Sequence, residues 1–383
     1  MGLDFGFTTE QEQIRDTVRA FVSKELTRDF LREIDANGRA PHELLPILGA
    51  LGFTGLAVPP EFGGSGASAT DVTVLLEELG RGSLSIASLV NRAMGWGTET
   101  ILRFGSEAQK NFFLPRVCSG EMIFAFSHTE AGAGSDAAAI RTRADRDGDH
   151  FAITGAKMFT TGAGECPYLI VSARTGAGAP KHKGISVFLV DAKTPGITCR
   201  PIEKLGMRGA GGLYEVHYDG VRVPGSALLG PLHDGWKVIT STLERARVAQ
   251  AAYCVGAAQR VIDDAVRYAN EREQFGQPIG RFQAIAHLLV DLQVDTDAAR
   301  LLLYRAAAMV DEKIPCVREA SIANLHATET LVRVTSDAMR VWGGYGFTLE
   351  FDIERTLRDA RLFIIGDGSS QIQRNLIARQ IGL

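Results

Sequence analysis

Apolar residues recur with the period of an α-helix between Thr9 and about Cys118. Thr9 and Glu12 have the spacing of a capping box, which predicts the start of the first helix. The apolar positions that follow share one face: Ile14, Val18, Phe21, Val22 and Leu26. The runs TDVTVLLEELGRG and GWGTETILRFG predict further helices, and PPEFGGSG predicts a loop before them. We therefore predict an N-terminal helical domain at residues 1–120.

The pattern changes to alternation of apolar and polar residues between about Glu121 and Leu229. Such alternation, broken by Gly, Pro and Asp, predicts β-strands. The strand-like runs are HFAITG, YLIV, ISVFLV and YEVHY, at residues 150–155, 168–171, 185–190 and 214–218. We predict a β-barrel or sandwich domain at residues 121–233.

Helical periodicity returns from about Asp234 to the end of the chain. The periodicity places apolar residues on one face of each of two predicted helices. These residues are Val255, Ala258, Ile262, Ala265, Val266 and Ala269 in the first helix, and Ile322, Leu325, Val334, Ala338 and Val341 further along. Few helix breakers interrupt these segments, so residues 234–383 are predicted to form a four-helix bundle. The fold class is α+β, with helices, strands and helices in that order.

Composition narrows the class of protein. The 383 residues carry a formal net charge of −4 and no long basic run, which argues against a nucleic-acid-binding protein. Five cysteines stand far apart without a CxxC pair, so neither a disulfide framework nor a metal site is predicted. There is no apolar segment of the kind that targets or spans a membrane. These features favour a cytoplasmic location and no membrane partner.

Two short segments at the start of the β region suit a flat or phosphorylated ligand. FSHTEAGAGSD, at residues 126–136, is rich in small residues and hydroxyls that allow close approach of the backbone. KMFTTG, at residues 157–162, sets an aromatic ring beside two hydroxyls. Neither segment has the GxGxxG pattern of a dinucleotide-binding βαβ unit.

A third segment, IIGDGSSQIQ at residues 364–373, places Asp367 between two glycines. Gly-Asp-Gly is ordinary turn chemistry, so a turn residue without chemistry remains one interpretation of Asp367. A functional carboxylate is the other.

Together with NEREQFG, IGRFQ and WGGYGF at residues 270–276, 279–283 and 342–347, these motifs make the whole chain resemble the acyl-CoA dehydrogenase family. The resemblance implies FAD extended between the β domain and the C-terminal helices, in a homotetramer built as a dimer of dimers. It also implies an acyl-CoA or acyl-carrier-protein substrate and an electron-transferring flavoprotein as the electron acceptor.

The resemblance assigns the cofactor-binding residues as well. Phe126, Thr129, Phe159 and Thr161 would contact the isoalloxazine ring, with Phe159 where most relatives have Trp. Gly134 and Ser135 would serve the flavin phosphates and the pantetheine of the substrate. Residues reaching the FAD of a neighbouring subunit would be Arg272, Phe275, Phe282, Gln283, Arg340 and Gly344. Ser369 and Gln371 would hold FAD near the catalytic loop.

In relatives that loop reads Tyr-Glu-Gly-Thr, and its Glu removes the α-proton of the thioester. Asp367 stands in the place of this Glu, so the resemblance implies that Asp367 is the base. Its side chain is shorter by about 1.5 Å, and a misplacement of about 1 Å can cost on the order of 100-fold in rate. Gly366, which replaces the Tyr, is consistent with a loop shifted inward and with a branched or alicyclic acyl group.

The remaining candidates are substrate-binding residues. Some relatives carry their base just before an arginine in the C-terminal domain, and the corresponding pair here is Ala246 and Arg247. Alanine cannot act as a base. The substrate-binding set is Ser135, Glu244, Arg247, Gly366, Gly368 and Arg92. For Arg92 two interpretations stand: a solvent-facing helix residue, which we favour, or a cation on the floor of the acyl cavity that binds a substrate carboxylate.

The leading prediction is FAD-dependent α,β-dehydrogenation of an acyl-CoA. Dehydrogenation of a carrier-protein-bound acyl group, or lyase or reductase chemistry on the same scaffold, is a second possibility. A partner subunit that keeps the fold without catalysing a reaction is the third.

Overall fold

The computed structural model describes residues 6–176 and 181–383. Seven helices form its N-terminal part: α1 Thr9–Glu25, α2 Arg28–Asn37, α3 Leu45–Ala50, α4 Ala69–Gly82, α5 Leu84–Met94, α6 Trp96–Phe104 and α7 Glu107–Cys118. The cap of α1 corrects the prediction by one residue, because Thr8 is the N-cap and exchanges side-chain bonds with Gln11. The helices at TDVTVLLEELGRG and GWGTETILRFG are confirmed as α4 and α6.

Eight strands of the middle domain join in one sheet: β1 Phe124–Ser127, β2 Arg143–Asp147, β3 His150–Thr161, β4 Tyr168–Arg174, β5 Ile185–Asp191, β6 Ile197–Ile202, β7 Leu213–Pro224 and β8 Leu228–Leu229. Their order is β6-β7-β3-β2-β4-β5-β8, with β1 parallel to β4 at the branch. β3 and β7 are long antiparallel partners, and their register shifts between Lys157 and Thr160. This β-bulge carries the KMFTTG segment.

The C-terminal part is again helical, apart from a two-stranded hairpin. Its elements are α8 Gly235–Thr240, α9 Leu243–Glu271, β9 Glu273–Gln274, β10 Gln277–Pro278, α10 Gln283–Asp311, α11 Val317–Trp342, α12 Ile353–Ala360 and α13 Ser370–Gln380. The predicted inward face of α9 is confirmed except at Val266, which is exposed. No helix in the described part of the chain is both long and apolar enough to cross a membrane.

Two glycines bring the N-terminal helices against the bundle. A Cβ on Gly80 of α4 would lie 2.3 Å from the carbonyl oxygen of Tyr253, and one on Gly256 of α9 would lie 1.9 Å from that of Glu77. Because only glycine leaves room for such an approach, α4 and α9 pack backbone to backbone. One hydrophobic core consequently runs through all three parts of the chain, from Leu75 in α4 to Val221 in β7 and Leu331 in α11.

Candidate active site

Asp367 lies in the loop between α12 and α13, in a strained conformation. Its φ is +53°, in the left-handed region that non-glycine residues seldom adopt and that Asp tolerates better than most. Gly368 follows with a φ of +94°. Strain of this kind costs about 1–3 kcal/mol and is concentrated at functional sites. The backbone thus presents the carboxylate that the resemblance implies as the base.

Asp367 is exposed, and it forms no ion pair or hydrogen bond with any residue that the structure describes. Nevertheless, desolvation by the surrounding protein raises the pKa of its carboxyl. Tyr253 of α9 is buried, and burial raises the pKa of its hydroxyl. The negative charge of Asp367 is close enough to raise that pKa further. The carboxylate is therefore unpaired, partly desolvated and available to a ligand.

Phe363 and Gln373, to which the sequence analysis gave no role, hold this loop in place. Phe363, four positions before Asp367, packs against Tyr253 with ring centroids 5.3 Å apart. Gln373 is fully buried, and its Nε2 donates a hydrogen bond to the carbonyl oxygen of Gly368 at 3.0 Å. Ser369 caps α13 by accepting from the amide of Ile372, and Gln371 is exposed beside it.

The β-bulge of β3 turns an aromatic ring outward. Phe159 has a φ of +57°, and 57% of its surface is exposed. The amide of the preceding Met158 donates to the carbonyl oxygen of Thr129 at 2.8 Å, which joins the bulge to the Gly-rich loop. Phe126 is half-buried at the end of β1 and packs on Trp96, with centroids 4.1 Å apart. Phe159 is therefore not a core residue, and its exposed ring is free to stack on a flat ligand.

A buried network supports the Gly-rich loop that carries Gly134 and Ser135, both of which are exposed. Glu130 accepts from the amides of Arg141 and Thr142 at 2.6 and 2.9 Å, and Lys157 donates to it at 2.9 Å. Burial lowers the pKa of Lys157 to about 8.

His128, next to this loop, is buried, and both of its ring nitrogens are hydrogen-bonded, to Ser172 at 2.5 Å and to the carbonyl oxygen of Ala137 at 3.0 Å. Burial, followed by the charge of Lys157, lowers its pKa to about 4. His128 is therefore fully hydrogen-bonded within the fold, as a structural histidine is.

A second group of predicted cofactor residues meets at the far end of the C-terminal helices. A cleft of about 610 Å³ is lined by Arg272, Phe275, Phe282, Arg340 and Gly344, together with Tyr345. Phe275 stands at the tip of the β9–β10 hairpin with 94% of its surface exposed. Gln283 begins α10 and is exposed, but it is not part of the lining.

These two groups fit FAD. Arginine side chains and glycine backbone suit a pyrophosphate, exposed aromatic rings suit the flat ring systems, and hydroxyls of Thr129 and Thr161 suit the polar edge of a flavin. In the cleft lined by Arg272, Phe275 and Tyr345, here called the hairpin cleft, the guanidinium carbon of Arg272 lies 5.8 Å from the centre of the Tyr345 ring. Phe282 lines the same open volume. The resemblance implies that a cofactor extended across both groups takes one group from each of two subunits, which stays a prediction.

An apolar cavity, here called the acyl pocket, lies between α4, the α5–α6 junction and the start of α9. Its free volume is about 50 Å³, and its walls include Val72, Met94, Trp96, Ala246 and Val248. Ala246, which the resemblance aligns with the base of some relatives, is part of this wall. Polar side chains line one part of it: Asn91, Glu99, Thr242 and Arg245.

Neither Glu244 nor Arg247 is on the wall of this pocket. Arg247 is buried, burial lowers its pKa, and its Nε has no partner among the described residues. Glu244 faces Cys316, whose Sγ lies 3.9 Å from Oε2. Their substrate-binding roles stay predictions.

Arg92 corrects the interpretation that we favoured. All three guanidinium nitrogens are buried, and none has a hydrogen-bond partner among the described residues. Nη1 lies against the backbone of Gly162, where an added Cβ would come within 2.2 Å of it. The side chain therefore turns toward the β domain, near Glu165 and Cys166, and away from both solvent and the acyl pocket. Its role toward a substrate anion stays a prediction.

Family models for the three domains of acyl-CoA dehydrogenases match the chain in order: the N-terminal domain at residues 8–121, the middle domain at 125–221 and the C-terminal domain at 233–382. The chain belongs to the acyl-CoA dehydrogenase family. It is accordingly an FAD-containing oxidoreductase that acts on CH–CH groups.

Individual relatives cover nearly the whole chain. Probable acyl-CoA dehydrogenase YngJ of Bacillus subtilis is 38% identical over 99% of this chain and 100% of its own length. The caffeyl-CoA reductase–Etf complex subunit CarC of Acetobacterium woodii is 35% identical over 97% of this chain and 98% of its own. The structure of butyryl-CoA dehydrogenase from Megasphaera elsdenii superposes with a TM-score of 0.95 at 32% identity, covering 99% of this chain and 100% of that one.

Proposed function

We propose that the protein oxidises an acyl-CoA to the α,β-unsaturated thioester, with Asp367 as the base. The observation that carries this proposal is a carboxylate on a strained loop, with no cationic partner among the described residues and with its pKa raised by desolvation. A raised pKa makes a carboxylate a stronger base, which the weakly acidic α-carbon requires. FAD, when bound, supplies an acceptor for the hydride that leaves the β-carbon.

Each part of the chain has a task in this reaction. Asp367 takes the α-proton, and the two electrons of the broken β-C–H bond leave with the hydride, so the product gains one C=C bond. The backbone around Gly366 and Gly368 is free to approach the thioester, since neither residue carries a side chain. Phe159 and Trp96 exclude water from the ring face and from the acyl pocket. The electrons then pass to an electron-transferring flavoprotein.

Replacement of Asp367 by Asn tests the role of the base. Anaerobic mixing of FAD-loaded protein with straight, branched, alicyclic and dicarboxylic acyl-CoAs should bleach the flavin absorbance for at least one substrate, and Asp367→Asn should abolish this bleaching. Asp367→Glu should keep it with a changed preference for acyl groups. Asp145, exposed on β2, provides the matched control Asp145→Asn, which should react as the parent does. Bleaching of the Asp367→Asn protein at the parental rate would contradict the assignment.

Reduction of an enoyl thioester is the second candidate, and the 35% identity to a caffeyl-CoA reductase–Etf complex subunit favours it. The same site would run in reverse, because a carboxyl with a raised pKa holds a proton that it can deliver to the α-carbon. Mixing the reduced protein with enoyl-CoAs would show whether it catalyses the reduction. Comparing CoA thioesters with acyl-carrier-protein thioesters would show which carrier it accepts.

We further propose that the working assembly is a homotetramer. Two large apolar side chains are almost wholly uncovered: Phe275 of the hairpin cleft, at 94% exposure, and Phe347, at 90%, two residues after Tyr345 of the same cleft. A third exposed apolar group lies along α10: Val290, Val294 and Leu301. Surfaces of this kind mark contacts between subunits. Light scattering on the FAD-loaded protein should give the mass of four chains, and a monomer would overturn the proposal.

A further inference from the structure

The acyl pocket contains a polar corner that its apolar walls do not explain. Thr242 is 2% exposed, lies on the pocket wall, and its hydroxyl has no hydrogen-bond partner among residues 6–176 and 181–383. Arg245, three residues later, reaches the same wall, and its Nε is likewise buried without a partner. Ala246 shares this side of α9, so the corner lies next to the position used for chemistry in some relatives.

Arg245 is already ion-paired at this corner, where one carboxylate, Glu99, stands between two arginines. Nη1 of Arg245 lies 3.2 Å from Oε1 of Glu99, and Nε of Arg103 lies 3.4 Å from Oε2 of the same carboxylate. Arg103 stands outside the pocket and donates to the carbonyl oxygen of Ser241 at 2.7 Å. Arg245 therefore has its counter-ion, and what it leaves for a ligand is a spare N–H donor.

Unmade hydrogen bonds in an apolar pocket are costly, at about 1–3 kcal/mol for each buried group. A valine has the shape of Thr242 and would avoid that cost, so the hydroxyl is unfavourable for a pocket that binds only hydrocarbon. Water could satisfy both groups while the pocket is empty, since about 50 Å³ accommodates it. A hydrocarbon chain would displace that water without replacing its bonds, whereas an oxygen in the chain would restore them.

We propose that the acyl group carries an uncharged oxygen beyond the reacting carbons, as a hydroxyl, carbonyl or ether, and that Thr242 and Arg245 bind it. The inference rests on the proposed function, because it takes this cavity as the place of the acyl chain. A carboxylate is disfavoured by Glu99, which lines the same pocket. A site that hydrogen-bonds an oxygen rejects the analogue lacking it, because the polar groups of the site are then left unpaired.

The test uses pairs of enoyl-CoAs of equal chain length, with and without a remote hydroxyl or carbonyl, and a third set ending in a carboxylate. Their dissociation constants are measured from the change that each ligand causes in the flavin spectrum of the FAD-loaded protein. The oxygenated ligand should bind at least about tenfold more tightly than its hydrocarbon partner, and Thr242→Val should remove most of that ratio. Arg245→Met should reduce the same ratio.

Arg103→Met is the matched control, because it removes a contact of Glu99 from outside the pocket and should keep the parental ratio. Tighter binding of the hydrocarbon or of the carboxylate ligand would overturn the proposal, as would a Thr242→Val protein with the parental ratio. Failure of the proposed function is distinguishable: saturated acyl-CoAs would then leave the flavin unbleached, while the binding ratio remains measurable.

Discussion

The ammonium of Lys157 lies 2.9 Å from Oε1 of Glu130, and the lysine side chain is wholly excluded from solvent. The same nitrogen donates to the carbonyl oxygen of His128 at 2.8 Å. These contacts fix the strand that carries Phe159 against the loop that carries Ser135. A buried ion pair thus sets the distance between two segments predicted to bind the cofactor.

Breaking this pair on one side should be costly. Lys157→Met leaves the Glu130 carboxylate buried with only two amide donors, so we expect a loss of about 3–5 kcal/mol in the free energy of unfolding and weaker FAD binding. Urea denaturation at a fixed FAD concentration measures the first, and flavin titration of the apoprotein measures the second. Lys157→Met combined with Glu130→Gln should lose less than the sum of the single changes.

The surface pair Arg143–Asp145 supplies the control for this experiment, because both side chains are about two-thirds exposed, at 64% and 65%. Arg143→Met should cost less than about 1 kcal/mol. A cost that small for Lys157→Met would show that the buried pair does not hold the loop.

Asp359 should make stability fall as the pH rises toward 6. It is buried in α12, accepts a hydrogen bond from the amide of Met207, and burial raises its pKa from 3.8 to about 6. The folded state then holds a proton that the unfolded state has released. The protonated carboxyl stabilises the folded state by roughly 3 kcal/mol at most. This stabilisation is fully present below about pH 4 and is lost as the pH rises through 6. Asp359→Asn should remove this dependence in pH-resolved denaturation, and an identical slope in parent and variant would contradict it.

His128 should act in the opposite sense over nearly the same range. Burial lowers its pKa from 6.5 to about 4, so the unfolded state binds a proton that the folded state does not. Its contribution is present above about pH 6.5 and is lost as the pH falls toward 4. Because the titrations of Asp359 and His128 oppose each other in the parent, His128→Gln should flatten the acid side of the stability profile when it is made in the Asp359→Asn background. The profile of the double variant with Asp359→Asn should be flatter than that of either single variant, because two opposed titrations are removed.

The rate of proton abstraction should depend on pH through Asp367. Its pKa is raised by desolvation, and only the ionised form is a base, so kcat/KM for the acyl-CoA should fall as the pH drops through this raised pKa. The acid limb should lie above the usual range of aspartate and should shift in Asp367→Glu. If the acid limb of the kcat/KM profile stays at the same pH in Asp367→Glu, the titrating group is not Asp367.

Arg92→Met should leave the protein as stable as the parent or make it more stable. The change removes a buried guanidinium whose nitrogens are unpartnered among the described residues, and methionine fills similar space without unmet donors. Arg19→Met is the contrasting variant, since it breaks two bonds to the buried Glu78 at 3.0 and 2.8 Å and should destabilise the protein. A loss of more than about 1 kcal/mol for Arg92→Met would mean that the guanidinium has a bound anion or water as its partner.

Much of the fold follows from local patterns. The alternation at residues 150–155 and 185–190 lies in strands β3 and β5, and the 3.6-residue period of α4 and α9 is as predicted. The capping box was wrong by one residue because Thr8 and Thr9 both offer a hydroxyl, and the one with the extended backbone becomes the cap. Val266 was misplaced because the apolar face of a helix is wider than the surface that the neighbouring helices cover.

The site residues that the motifs missed share a physical reason. Tyr253 and Lys157 act through contacts with residues far away in the chain, Phe363 and Glu130, and no local spacing records such contacts. Thr242 and Arg245 did carry a signal, since they are one helical turn from Ala246 or less, on the side of α9 that the resemblance had placed near the chemistry.

By itself, the sequence determined the family, the order of helical and β regions, and the glycine-flanked position of Asp367. Each of these follows from residues that are close together in the chain. The tertiary structure decided the rest: that Arg92 turns inward, that Phe159 is pushed out on a bulge, and that a polar corner stands in an apolar pocket. These features depend on which surfaces meet when α4, α9 and the sheet pack together. Burial and partner choice are properties of that packing, and they set the charge and shape of the site.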